Sequence, residues 1–336
     1  MKYDYLIIGA GLFGATCARL LTEAGKSVLV IEKRGNVGGN CYDDVVNGIS
    51  IGRYGGHIFH TNSRDIWQFV NRFAEWQFYE HRVKAHYNGK TYSLPPNLAT
   101  FDQIGMEPGP EAELLILKMF FEGYSQKQWG KPWSELPESV KRRVPIRYNY
   151  DDRSFSDRYQ GLPEGGYTAM IERILSGVSL ETNTDYLIDP EYWHRQARRV
   201  VYSGPIDALF NYELGRLEYR SLEFRNQVVD TPDYQGAATI NYTDLSVPYT
   251  RILEWQHYGW RTNLNGTTAI TIEYPRAHGE PYYPIGDAAN LALYEQYAKR
   301  AAATSWLHVG GRLGSYRYYN MDQVIGQAIR LAHDLR

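Results

Sequence analysis

Three glycines and one acid near the start of the chain have the spacing that holds a pyrophosphate. In Tyr3-Asp4-Tyr5-Leu6-Ile7-Ile8-Gly9-Ala10-Gly11-Leu12-Phe13-Gly14 an apolar strand enters a glycine turn, and Val28-Leu29-Val30-Ile31-Glu32-Lys33-Arg34 reads as the next strand with an acidic end. Gly9 permits the tight turn, Gly11 lets backbone approach a pyrophosphate, and Gly14 lets the following helix pack close to the strand. The helix that starts at Leu12 and Phe13 then offers unbonded N–H groups and a partial positive charge. Glu32 stands where a carboxylate accepts hydrogen bonds from an adenosine ribose. A second glycine turn, Arg34-Gly35-Asn36-Val37-Gly38-Gly39-Asn40, follows directly.

The pattern recurs near the C-terminus. Trp306-Leu307-His308-Val309-Gly310-Gly311-Arg312 reads as a strand ending in glycines, and Tyr318-Tyr319-Asn320-Met321-Asp322-Gln323 opens a helix running to Leu335. A second strand-to-helix junction gives a two-part ligand a second set of helix N–H groups. The chain is therefore expected to leave its nucleotide domain and return to complete it. Arg251 and Arg143 carry the planar fork that suits phosphate oxygens, although an arginine in a strand or beside Lys141 and Arg142 is as readily a plain ion-pair or surface charge. His57 and His60 have no accompanying carboxylate or cysteine cluster, so no metal is expected.

Composition narrows the class. The 336 residues allow two or three domains, and a net charge of −2 without a basic stripe argues against nucleic acid. No apolar run is long enough to span a membrane, and the N-terminus enters a strand at once, so a cytoplasmic protein is expected. Cys17 and Cys41 are the only cysteines, too few for a disulfide framework. The 29 tyrosines suit either a tyrosine-rich antiparallel sheet or a pocket that stacks rings.

Among the connecting elements, Ile66 to Phe78 reads as an amphipathic helix, and Arg82 to Leu94 as a hairpin around Asn88-Gly89. Glu111 to Tyr124 is helical, and Arg142 to Asp157 is a polar segment suited to a mobile loop. Val200 to Pro205 reads as a strand returning to the first sheet. Four strands follow between about 215 and 285. The expected fold is α/β: a discontinuous Rossmann-like domain (1–78, 165–212 and 286–336), a reduced helical domain with a substrate loop (97–144), and a twisted antiparallel sheet domain (79–96, 145–164 and 213–285).

The second glycine turn resembles FAD-binding more than NAD-binding dinucleotide folds. Five further blocks extend the resemblance nearly end to end: Tyr54-Gly55-Gly56-His57-Ile58-Phe59-His60-Thr61, Gly123-Tyr124-Ser125-Gln126-Lys127-Gln128-Trp129-Gly130, Val247-Pro248-Tyr249-Thr250-Arg251-Ile252, Glu280-Pro281-Tyr282-Tyr283-Pro284-Ile285, and Gly310-Gly311-Arg312-Leu313. In this order they resemble the flavin-dependent UDP-galactopyranose mutases.

That resemblance implies a redox-neutral interconversion of UDP-galactopyranose and UDP-galactofuranose, with N5 of reduced FAD as nucleophile at the anomeric carbon. It implies that Arg143 and Arg251 hold the diphosphate and that His60, Tyr283 and Tyr318 serve the reacting centre. Phe120, Tyr124, Ser125, Trp129, Ser154, Asn241, Tyr282, His81 and Asn320 are expected to contact substrate. Besides the first glycines, Leu12, Phe13 and Glu32, the cofactor residues are expected to be Lys33, Arg34, Gly38, Gly39, Asn40, His57, Ile58, Arg220, Gly311, Arg312, Tyr319, Met321, Asp322 and Gln323. Expected partners are a UDP-sugar, an external reductant (NAD(P)H or a flavin reductase) and a second copy in a homodimer.

Departures from the family pattern are Ser154 for a tyrosine, Asn320 for an aspartate, Gly56 for alanine or proline, and a short connection from Phe101 to Phe120. They leave open another UDP-sugar, N-acetylated or pentose, while the nucleotide fold alone also suits a conventional FAD oxidoreductase.

Overall fold

The computed structural model describes residues 1–46, 48–136, 141, 146–259 and 266–336. Its first sheet is wholly parallel, with strands in the order Ser179–Glu181, Val28–Ile31, Tyr3–Ile8, Ala197–Tyr202 and Leu307–Val309. Side chains alternate across a strand, so one strand feeds two cores. Tyr5, Ile7, Val28 and Val30 pack beneath the helices Leu12–Glu23, Gly166–Leu175 and Met321–Asp334. Leu6, Ile8, Leu29 and Ile31 pack on the other face with Tyr186, Tyr202, Tyr297 and Tyr316. Burial on both faces explains why these strands are continuous apolar runs. The expected return of Val200–Val201–Tyr202 to this sheet is observed.

The second sheet has seven strands: Tyr283–Pro284, Tyr219–Val229, Thr268–Arg276, Arg251–Glu254, Thr239–Tyr242, Val83–Tyr87 and Lys90–Leu94. Its pairings are antiparallel except between Thr239–Tyr242 and Val83–Tyr87, which run parallel. The Asn88-Gly89 hairpin forms as expected, both residues taking positive φ.

Between Leu94 and the second half of the chain lie the helices Leu98–Ile104, Pro110–Leu117 and Gly123–Trp129. Pro110 starts the second at a position where no donor is lost, and Gly130, with φ +68°, ends the third. A π-turn at Lys118–Glu122 joins the second and third helices, a form common at functional sites.

One expectation fails locally. The helix after Asn62 spans only Arg64–Asn71, and Trp76–Phe78 is a strand. Long-range pairing overrides the local pattern: Trp76–Phe78 and Phe59–Thr61 flank Tyr159–Pro163 in a three-stranded sheet. That sheet links two of the segments assigned above to different domains, and the three-domain division stays a proposal. No helix among the described residues is long and apolar enough to cross a membrane.

The close approach at the first turn is measurable. A Cβ on Gly14 would lie 1.9 Å from the Gly9 carbonyl oxygen. Gly14→Ala is therefore expected to destabilise the protein by about 1–3 kcal/mol through overpacking. Thermal or urea unfolding checks this, and an unchanged stability would show that the turn has slack.

Candidate active site

The phosphate cradle is built from backbone. Gly11 caps the Leu12–Glu23 helix without a side-chain hydrogen bond, which leaves the first N–H groups open. A Cβ on Gly39 would meet the Gly11 Cα at 3.1 Å, so the two glycine turns lie against each other. Glu32 is buried and braces both: Oε2 accepts from Ala10 N and Oε1 from Arg34 N, each at 2.8 Å. Its remaining lone pairs are available to a ribose. The Phe13 ring fills the space beside Gly310, joining this turn to the C-terminal junction. There Arg312 donates to the Tyr319 carbonyl at 2.7 Å, and Met321 Sδ lies 3.6 Å from Cys41 Sγ. Open helix N–H groups, a buried acid and glycines with no room for side chains fit FAD.

A second group is built on the antiparallel sheet. The register places Asn241 beside Arg251 and Arg251 beside Glu273, so three polar residues of adjacent strands share one face. Arg251 Nε and Glu273 Oε2 form an ion pair at 2.8 Å, off the ideal hydrogen-bond line, and Glu273 is only 3% exposed. Burial opposes the charge on Arg251. The adjacent Glu273 carboxylate outweighs it and keeps the guanidinium protonated. Burial likewise raises the Glu273 pKa, and Arg251 draws it back. Tyr283 lies 5.2 Å from Tyr318 and 6.5 Å from Trp129, ring to ring. The Asn241 Oδ1 is buried with no hydrogen-bond partner among the described residues. Together these residues present a cation, an unused acceptor and aromatic walls.

The other expected residues distribute as follows. His60 donates or accepts through Nδ1 at 2.9 Å from Asp157 Oδ2 and stacks on Phe155 at 3.8 Å. His81 is buried, with Nδ1 3.2 Å from the Tyr79 hydroxyl, and its carbonyl accepts from Ser154 N at 2.7 Å. Ser125 and Ile58 are buried. Tyr282 packs on Phe224 and Tyr54, and Arg34 lies over the Tyr54 ring while holding Asn40 Oδ1 at 3.3 Å. Gly38 and Gly311 take positive φ. Asn320 is the exposed cap of the last helix, its N–H donating to Gln323 Oε1, and Asp322 accepts from the Thr61 hydroxyl. The departure at Gly56 has a local reason, since a Cβ there would lie 2.5 Å from the Tyr258 hydroxyl.

Three expectations are not supported by these contacts. Phe120 is 2% exposed and packs with Tyr92 in the core beneath the helices, rather than facing a base. Arg220 is drawn to the helix end, donating to the carbonyls of Gln128 and Lys127, because those carbonyls carry the negative end of the helix dipole. Lys33 is exposed and pairs with Asp185 at 3.4 Å. Arg143 lies outside the described residues. Glu273, Asp157 and Lys127 were missed. An acid among β-branched strand residues was the available signal for Glu273. A cavity of about 570 Å³ opens beside the same helices, lined by Glu122, Gln126, Trp133 and Asp244 among others, but it contains none of the Arg251 group.

Burial lowers the pKa of both His57 and His81 to about 4, with Arg312 and Arg251 adding to it. The unfolded chain takes up these protons near pH 6.5, so it binds more protons than the folded state across that window, and stability falls on acidification. Half-buried Asp43, raised by desolvation to about 6, works in the opposite sense, so a variant comparison isolates the histidine effect. His81→Gln is expected to flatten the decline of Tm between pH 7 and 4. Parallel wild-type and variant curves would contradict this.

Comparison with known proteins follows the same lines. The UDP-galactopyranose mutase family profile matches residues 119–318, and an NAD(P)-binding Rossmann-like domain profile matches residues 7–73. A probable UDP-galactopyranose mutase of Klebsiella pneumoniae is 40% identical over 98% of this chain and 94% of its own. The alignment runs over 366 positions against 336 residues here, consistent with a shortened connection. A dTDP-fucopyranose mutase of Escherichia coli is 35% identical over 97% of each chain. A crystal structure of reduced UDP-galactopyranose mutase superimposes with TM-score 0.77 at 16% identity, covering 99% of this chain and 95% of that one. The cofactor is FAD. The family profile over more than half of the chain and the relative 40% identical along nearly its whole length show that this chain belongs to the UDP-galactopyranose mutase family of isomerases.

Proposed function

We propose that this protein interconverts UDP-galactopyranose and UDP-galactofuranose without net redox change, with Arg251 as the diphosphate ligand. The observation that carries the proposal is the half-buried Arg251 guanidinium, held charged by Glu273 in a group that includes Tyr124, Tyr283 and Tyr318. FAD would be held by the Gly9–Gly14 and Gly38–Gly39 turns, Glu32 and the Gly310–Gly311 junction, and in its reduced form, maintained by an external reductant (NAD(P)H or a flavin reductase), it would supply the nucleophile for the anomeric carbon.

The residues of the chain bind and orient. Charge grows on the diphosphate as the glycosidic bond breaks, and a fixed guanidinium favours that state over the ground state. Glu273 fixes the plane of the fork without cancelling it, since Arg251 still presents nitrogens away from the carboxylate. The orphaned Asn241 Oδ1 suits a hydroxyl donor of the ligand. The rings of Tyr283, Tyr318 and Trp129 line the sugar side in this reading. Asp157 fixes the orientation of the His60 ring. Arg143 is the second diphosphate arginine in this reading.

Anaerobic incubation of dithionite-reduced, FAD-loaded protein with UDP-galactofuranose tests the proposal by chromatography. UDP-galactopyranose should form only with reduced flavin and without net flavin oxidation. Because a relative is named dTDP-fucopyranose mutase, the same assay includes dTDP-fucose forms. Conversion of those alone, or turnover that consumes an electron acceptor stoichiometrically, would contradict the proposal.

A further inference from the structure

Lys127 is not used by the site described above, yet its surroundings are unusual. Its Nζ lies 2.7, 2.8, 3.0 and 2.9 Å from the carbonyl oxygens of Tyr242, Asp244, Val247 and Tyr249. An ammonium has three N–H groups, so four carbonyls form a cage for a charge rather than a set of one-to-one bonds. Three of the four, those of Asp244, Val247 and Tyr249, belong to the connection between the strands Thr239–Tyr242 and Arg251–Glu254, and the fourth, that of Tyr242, ends the first of these strands one residue after Asn241. The lysine itself comes from the Gly123–Trp129 helix, three residues after Tyr124. Residues three apart share a helix face.

That helix has only seven residues and depends on outside contacts for its position. Arg220 holds its end, with Nε donating to the Gln128 carbonyl at 2.8 Å. Lys127 holds its side. A last-turn lysine that only complements the helix dipole would point at its own helix carbonyls; this one reaches across to another element.

We propose that Lys127 is a positioning residue of the active site, a resident cation that docks the connection between Asn241 and Arg251 onto the helix carrying Tyr124 and Trp129. The proposal rests on the reading of Arg251 as the diphosphate ligand. Its consequence is that the spacing between the arginine on the sheet and the aromatic residues on the helix is set by one charge.

Several titratable groups surround the cage: Asp244 in the connection, His86 Nδ1 3.9 Å from that carboxylate, and the hydroxyls of Tyr242 and Tyr249. Burial lowers the Lys127 pKa to about 8, with Asp244 opposing, while burial raises those of both tyrosines. The cage is therefore charged below pH 8 and loses its charge as pH rises through that value.

The test uses full-length, FAD-loaded wild type and Lys127→Ala, with UDP titrated calorimetrically and FAD content read from flavin absorbance. Loss of a charged donor set predicts UDP affinity about tenfold weaker or more with FAD retained. Added n-propylammonium should restore binding at pH 7, where sodium at equal ionic strength should not. Should the alanine variant fail to fold, Lys127→Met keeps the stem and is judged by UDP affinity and pH profile. Wild-type affinity should fall above pH 8, and the methionine variant should be weak and flat across that range. An alanine or methionine variant that binds UDP like a wild type that itself binds would overturn the role of Lys127 alone. A weakened alanine variant that sodium restores equally well would also overturn it. A wild type that does not bind UDP would overturn the functional reading and, with it, this one.

Discussion

A guanidinium and a carboxylate held together on the face of a sheet set the terms for much of this structure. Glu273 is almost wholly buried, and removing either charge would leave the other without its partner in a poor solvent for ions, at a cost of roughly 3–5 kcal/mol. The pair therefore constrains what surrounds it. Gly55 lies over the carboxylate, where a Cβ would come within 2.9 Å of Glu273 Oε1. The loop that carries Gly55 also carries His57, and Arg251 contributes to keeping that imidazole neutral. In this account, stability and ligand binding use the same cation.

The two large sheets divide the work according to their geometry. The parallel sheet is buried on both faces and ends in backbone turns, which suit phosphates because N–H groups need no side chain. The antiparallel sheet carries side chains in register, which suits a row such as Asn241, Arg251 and Glu273. A short helix packs on the antiparallel sheet, clamped to it by Arg220 and Lys127. The expected loss of helical residues between Phe101 and Phe120 leaves this clamp in place, since the clamp lies after the π-turn.

What was legible in the sequence follows from the range of the interactions. The glycine turns, the Asn88-Gly89 hairpin and the strand returning at Val200 are specified by nearby residues, and all are found. Trp76–Phe78 was misread as helix because its partner strand lies more than eighty residues away in sequence. Glu273 and Lys127 were missed for a similar reason: one gains its meaning from a neighbouring strand, the other from a loop far along the chain. Motif resemblance located Phe120 and Arg220 but not their environments, which place one in a core and the other at a helix end.

Calorimetric titration of UDP into FAD-loaded wild type and Arg251→Lys separates an Arg251 fork that binds the diphosphate from an arginine that only pairs with Glu273. Lysine preserves the positive charge beside Glu273 and removes the planar pair of donors. If the fork binds the diphosphate, UDP affinity falls about tenfold or more in the lysine variant, the loss expected for hydrogen bonds to a charged group, with FAD content unchanged. Equal affinity in the two proteins would contradict it and reduce Arg251 to the structural partner of Glu273.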